Sequence, residues 1–200
     1  MIASVRGEVL SRGPGEVVVE CGGVGYRLAV SAQALRAVPA VGSEARLLSH
    51  LVMRDDALQL YGFVSEAERD LFLMLVAVQS VGPKVALAVL SGGSASELTA
   101  AIAAGDAARF QAVPGIGKRT AERIIVELRE KVADAVAEQI VVRRGAGSDD
   151  PRALAHEGLL GLGFQPAEAE EMLDRAEEML DRAVGDTPEE LLAAALRTSA

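Results

Sequence analysis

The chain has 200 residues, half of them hydrophobic and only 3% aromatic, with no tryptophan, one cysteine and a net charge of −9. That length suits one large domain or two to three small ones, and a single cysteine excludes an internal disulfide framework. No apolar run approaches the ~20 residues of a membrane span, and the start, Met1-Ile2-Ala3-Ser4-Val5-Arg6, meets charge without a secretory pattern, so a cytoplasmic location is expected.

Residues 1–63 read as strands. Ala3–Leu10, Glu16–Cys21, Gly25–Val30, Arg46–Met53 and Ala57–Phe63 are rich in Val, Leu and Tyr, and Gly/Pro clusters such as Gly13-Pro14-Gly15 and Gly22-Gly23 separate several of them. Ser31–Val38 has the pattern of a short helix. Five strands and one short helix suit a small barrel of the OB type, with another small barrel or a meander as the alternative.

Residues 65–142 read as helices. Ser65 is an N-cap candidate with Glu68 at the capping-box position, and Leu71, Phe72, Leu75, Val76 and Gln79 follow at helical spacing. A glycine turn, Ser80-Val81-Gly82-Pro83-Lys84, then opens a short apolar helix, Val85–Leu90. Ser94–Ala104 and Asp106–Ala112 are two further helices. A second glycine turn, Pro114-Gly115-Ile116-Gly117-Lys118-Arg119, opens a long helix over Gly117–Val136. Residues 143–151 are polar and aperiodic and read as a flexible linker. Residues 152–200 read as a three-helix unit: Pro151–Leu162, Pro166–Val184, and Pro188–Arg197 capped by Thr187. The second of these helices carries Glu-Met-Leu-Asp-Arg-Ala twice, at 171–176 and 178–183.

Charge is distributed unevenly over these segments. Residues 1–64 hold 6 basic and 6 acidic groups, and residues 65–142 hold 8 and 10. Residues 149–200 hold 4 and 13, so the acidic excess lies in the last quarter, which should avoid DNA and suits a protein partner. In the middle segment Lys118, Arg119 and Arg123 cluster at the second turn and Lys84 stands at the first.

Each glycine turn directs the unpaired amides of a helix N-terminus outward, where the helix dipole favours an anion. Two such turns suggest an extended polyanion. A Walker A loop is excluded, because Ala112 stands where its first Gly is required and Arg119 where Ser or Thr must follow Lys118. Nucleotide hydrolysis and a nucleotide cofactor are therefore not expected. A pair of helix–hairpin–helix elements fits better: the turn lets backbone approach a phosphate, and the lysine adds charge without reading sequence. Two ordinary helix–turn–helix connections, with Gly as C-cap, are the plain alternative. On this reading Ser80, Val81, Gly82, Lys84, Gly115, Ile116, Gly117, Lys118, Arg119 and Arg123 are candidate DNA contacts.

Other residues carry less. Asp55 and Asp56 follow Arg54 between two strands. A solvated turn explains them, and repulsion of DNA phosphates is the functional alternative. His50 and His156 have no Cys partner, so a metal site is not expected. Cys21 beside Gly22-Gly23 reads as small and half-buried. Leu159, Leu162 and Phe164 around Gly161 and Gly163 are most simply core, or else a patch for a partner.

The arrangement resembles the RuvA family, the Holliday-junction-binding subunits of the bacterial branch-migration machinery. The resemblance covers essentially the whole chain. It rests on Met1-Ile2 with Arg6-Gly7, Gly25-Tyr26, Arg54-Asp55-Asp56 through Leu60-Tyr61-Gly62-Phe63, Val81-Gly82-Pro83-Lys84, and Pro114-Gly115-Ile116-Gly117-Lys118 with Thr120-Ala121-Glu122-Arg123. It implies a non-catalytic homotetramer that holds a four-way junction open in a square plane, with both turns on the minor-groove side of each arm. Asp55 and Asp56 would form an acidic pin near the centre. The C-terminal unit would bind the hexameric ATPase RuvB, with Leu159, Leu162 and Phe164 as candidate contacts, and the nuclease RuvC is a further expected partner. Two departures stand out: Ser80 where the family usually has Gly, and the repeated segment that lengthens the second C-terminal helix. A junction nuclease would need clustered carboxylates for metal ions, and a protein-interaction adaptor would show no DNA affinity.

Overall fold

The computed structural model describes residues 1–54, 57–143, 150–161, 164, 166–179 and 187–198. The chain divides into two compact units, residues 1–95 with 113–115, and residues 96–112 with 116–200.

The first unit begins with an OB-type barrel. Strands β1 (Ser4–Gly13), β2 (Glu16–Cys21), β3 (Val24–Val30), β4 (Glu44–Arg54) and β5 (Ala57–Phe63) close in the order β1-β2-β3-β5-β4. All pairs are antiparallel except β3 with β5. Alternation explains the closure: Val17 and Val19 of β2, Leu28 and Val30 of β3, and Ala45 and Leu47 of β4 point inward at every second residue, meeting Val5 and Val9 of β1. Gly7 breaks the inward row of β1 for a steric reason. A Cβ there would lie 1.7 Å from the Glu20 carbonyl oxygen, so only glycine lets the two backbones approach. Helix α1 (Ala32–Ala37) follows β3, and its Ala34 and Val38 join the barrel core.

Two helices complete this unit. Helix α2 (Glu66–Ala77) starts at Ser65, whose hydroxyl accepts from the Glu68 amide at 3.2 Å. Its buried stripe is Leu71, Phe72 and Leu75. Phe72 seats on the barrel through Phe63, Tyr61 and His50, with ring centroids at 5.0, 5.1 and 6.1 Å. Gln79 lies beyond the helix, because Val78 turns to extended backbone as C-cap. Helix α3 (Pro83–Leu90) packs on α2.

The second unit holds α4 (Ala95–Ala103), α5 (Ala107–Gln111), α6 (Lys118–Arg143), α7 (Pro151–Gly161), α8 (Pro166–Met179) and α9 (Pro188–Thr198). Arg109 and Glu97, 3.7 Å apart, tie α5 to α4. The long helix continues to Arg143 rather than stopping at Val136, so it runs into the stretch expected to be linker. Residues 144–149, the rest of that stretch apart from Asp150 and Pro151, lie outside the described residues, as does the second copy of the repeat from residue 180 to 183. Asp150 caps α7 by accepting from the Arg152 amide at 3.0 Å. Arg152 then bridges to Asp174, at 2.6 Å, and to Glu177 on α8. The first of these hydrogen bonds, then the second, raises the Arg152 pKa above its ordinary value. Helix α9 packs against α6, α7 and α8, and Arg129 of α6 donates to the Leu196 carbonyl near the C-terminal end of α9. No single helix among the described residues is long and apolar enough to cross a membrane.

Candidate nucleic-acid interface

The first turn is built by a helix stop and a helix start in quick succession. The Val78 amide donates back to the Leu75 carbonyl and the Val81 amide to the Val78 carbonyl, at 3.1 and 3.0 Å. Between them Ser80 adopts φ +75°, the left-handed region where a side chain is strained. The turn keeps its left-handed bend with serine in place of glycine. Val81 is buried and anchors the turn from below. Gly82 is the N-cap of α3, extended and without a capping side chain, and Pro83 takes the first helical position. Nothing stands within 4 Å of where a Gly82 Cβ would be. Helical geometry leaves the amides of Lys84 and Val85 without an intrahelical acceptor, the first turn of α3 carries no acidic residue, and the Lys84 side chain is exposed.

The second turn has the same logic. Ala112 ends α5, and Gly115 takes φ +92°, which an L side chain rarely adopts. Ile116 is buried as anchor, matching Val81 of the first turn. The Gly117 carbonyl accepts from the Thr120 and Ala121 amides, each at 3.0 Å, so Gly117 is where α6 starts. Space beside Gly117 is open, and the first turn of α6 again lacks an acidic residue. Lys118 is 79% exposed and meets Glu122 only at 3.9 Å, leaving its ammonium accessible. Arg119 is exposed on the same helical turn. Arg123 is half-buried, with Glu127 at 3.8 Å.

Within the first unit, a Cβ on Gly115 would lie 3.9 Å from a Val85 methyl. The sequence assigns Val85 no role, because its apolar type, shared with the rest of its helix, carries no signal.

The remaining candidates fall differently. Asp55 and Asp56 lie outside the described residues, between β4 and β5, as does Leu162. Beside the acidic pair, Met53 and Leu58 face each other across the strands and are 75% and 68% exposed. Leu159 is fully buried in the C-terminal helices, because its face of α7 points to their shared core, whereas its neighbour Leu160 is exposed. Phe164 is buried beside a shallow cavity of about 310 Å³ lined also by Ala100, Ala101, Asp106, Arg109 and Glu168. Cys21 is half-buried, its thiol donating to the Arg6 carbonyl at 2.8 Å. His50 packs on Phe72, and His156 Nε2 lies 3.4 Å from the Pro166 carbonyl. Among the described residues no three His, Cys, Asp or Glu side chains come together as a metal-ion site would require.

Comparison with known proteins covers the chain from end to end. The RuvA N terminal domain model matches residues 1–62, the SAM-like helix-hairpin-helix tandem model residues 72–130, and the RuvA C-terminal domain model residues 151–200. A relative from Rubrobacter xylanophilus is 44% identical over 98% of this chain and 97% of its own length. One from Acidobacterium capsulatum is 40% identical over 98% of each, and one from Mycobacterium leprae 45% identical over 88% and 86%. All three are named Holliday junction branch migration complex subunit RuvA.

Proposed function

The chain belongs to the RuvA family, and on that premise we propose that it binds four-way DNA junctions by their shape and serves branch migration in recombination and repair. Its relatives are named as subunits of a Holliday junction branch migration complex. The observation that carries the reading is the pair of glycine turns. Each opens a helix whose first amides lack intrahelical partners, whose first turn lacks an acid, and whose first residues include an exposed lysine.

In this reading Ser80, Val81, Gly82 and Lys84 form one phosphate cradle, and Gly115, Ile116, Gly117, Lys118, Arg119 and Arg123 the other. Val81 and Ile116 act from beneath as buried anchors. Affinity comes from phosphates and falls with salt. Selectivity comes from four subunits engaging four arms together, a multivalent effect that linear duplex cannot supply. Asp55 and Asp56, one pair per subunit, repel phosphates at the crossover and keep strands apart. The functional divisions are a barrel over 1–64, a DNA-binding domain over 65–142, a linker over 143–151 and a partner-binding unit over 152–200. That last unit recruits RuvB, which hydrolyses ATP in the cytoplasm while this chain remains a non-catalytic scaffold. RuvC is a further partner. Leu162 and Phe164 belong to the RuvB-facing region, and Leu159 supports it from the core.

The test is a gel-shift comparison of a synthetic four-way junction with linear duplex of equal length at two salt concentrations. Preference for the junction that weakens as salt rises is the expected result. Equal binding would leave a generic duplex binder, and no binding to either would make both turns structural.

A further inference from the structure

The first glycine turn is the tip of a lever, and the base of that lever is clamped to the barrel at two consecutive residues. At the start of α2, the Glu68 carboxylate is buried and accepts twice: from the Ser31 hydroxyl at 2.6 Å and from the Val64 amide at 3.0 Å. Ser31 is itself fully buried and caps α1, accepting from the Ala34 amide at 2.9 Å. At the end of α3, the Ser91 hydroxyl accepts from the Ala32 amide at 2.9 Å and donates to the Leu87 carbonyl at 2.7 Å. Both outer ends of the first helix–turn–helix therefore meet the N-terminus of α1, while Phe72 holds α2 midway.

We propose that Glu68 and Ser91 are positioning residues for junction selectivity: they fix the angle at which α2 and α3 present the first turn relative to the barrel. The proposal rests on the junction-binding reading and deepens it. Leverage gives the reason. From Phe72, where the helix is held, to Ala77 is about 8 Å, so a tilt of about 10° moves that end of α2 by about 1.3 Å, enough to stretch an amide–phosphate hydrogen bond beyond its range. Linear duplex tolerates such a tilt, because the protein can shift along it. A junction whose arms are held by several subunits at once does not, because each turn must reach its own arm together with the others. Loosening the clamp should therefore reduce junction affinity while leaving duplex affinity nearly unchanged. A residue that served stability alone would lower both together, or neither at a temperature well below unfolding.

Full-length Ser91→Ala, Ser91→Thr and Glu68→Gln would be measured with synthetic four-way junction and equal-length duplex, with thermal unfolding followed in parallel. Ser91→Ala removes the acceptor for the Ala32 amide, and Ser91→Thr restores it. Glu68→Gln keeps the shape but gives up one of the two acceptor oxygens. The expected result is a junction-to-duplex affinity ratio reduced about fivefold or more in Ser91→Ala and Glu68→Gln, the scale of one lost hydrogen bond, and restored in Ser91→Thr. A folded Ser91→Ala or Glu68→Gln protein with the wild-type ratio would overturn the proposal while leaving the junction reading intact. Equal binding of both DNAs by the wild type would overturn the junction reading, and the proposal with it.

Discussion

At the scale of single residues, the backbone angle of Ser80 makes a prediction that its side chain does not. A non-glycine residue in the left-handed region costs roughly 1 kcal/mol, and Ser80 sits there at φ +75°. Ser80→Gly is expected to raise stability by up to about 1 kcal/mol in urea denaturation, and Ser80→Val to lower it by about 1–3 kcal/mol. The second residue-scale prediction concerns Gly7, where a Cβ would lie 1.7 Å from the Glu20 carbonyl oxygen. The obstacle is backbone, so strands β1 and β2 must part. Gly7→Ala should cost more than about 3 kcal/mol or prevent folding, which circular dichroism and thermal melts would show. The unusual residue Ser80 was legible in the sequence, but its angle was not, because serine is common in turns of every kind. Glu68 was legible only in part. The spacing from Ser65 marks a capping box, whereas the carboxylate in fact accepts from Val64 and from Ser31, 37 residues away. No local pattern could name that partner.

At the scale of elements, alternation and helical periodicity placed the strands and most helices closely, since each element has one buried face. β2 and β5 match their expected bounds, and α5 lies within its expected span between Asp106 and Ala112 as caps. Periodicity erred at the end of α6. Beyond Val132 the apolar spacing of α6 gives no sharp end, and no glycine or proline interrupts it before Arg143, so the helix simply continues. Leu159 shows the converse. Its exposure depends on which face of α7 meets α8 and α9, and adjacent Leu159 and Leu160 take opposite fates. The lysines at the starts of α3 and α6 yield the element-scale prediction. Lys84→Ala and Lys118→Ala should each weaken DNA binding on any sequence and reduce the slope of log affinity against log salt by about 1 for each phosphate no longer neutralised. An unchanged slope would place both lysines outside the interface. The Arg152 bridge predicts a silence instead. A base whose folded pKa is raised stabilises fully below its unfolded value and stops doing so only as pH rises through the folded one. This arginine therefore contributes no pH dependence between about pH 6 and 9. Salt is the variable that loosens it, and Arg152→Gln should cost at most about 1 kcal/mol for so exposed a pair.

At the scale of the whole molecule, the issue is how a chain of net charge −9 holds a polyanion. The answer lies in segregation, because the excess acid falls in residues 149–200 while the turn-bearing helices start with lysine and without acid. Asp55 and Asp56, with their proposed place at the crossover, are a deliberate cost in affinity. A carboxylate about 10 Å from a phosphate in water is repelled by about 0.4 kcal/mol before screening, and at ~0.1 M salt one Debye length of ~10 Å reduces that severalfold. Summed over the acids of a tetramer facing several phosphates, the penalty reaches about 1–3 kcal/mol at low ionic strength and fades as salt rises. The double variant Asp55→Asn with Asp56→Asn is therefore expected to bind a four-way junction more tightly than wild type in low salt, with the difference closing in high salt. Motor-driven strand exchange should be slower, because nothing then pushes paired strands apart at the centre. Junction titrations at several salt concentrations decide the first half, and strand-exchange rates with the ATPase present decide the second. Weaker junction binding by the double variant at low salt would mean that the pair contacts DNA favourably and is no repulsive pin.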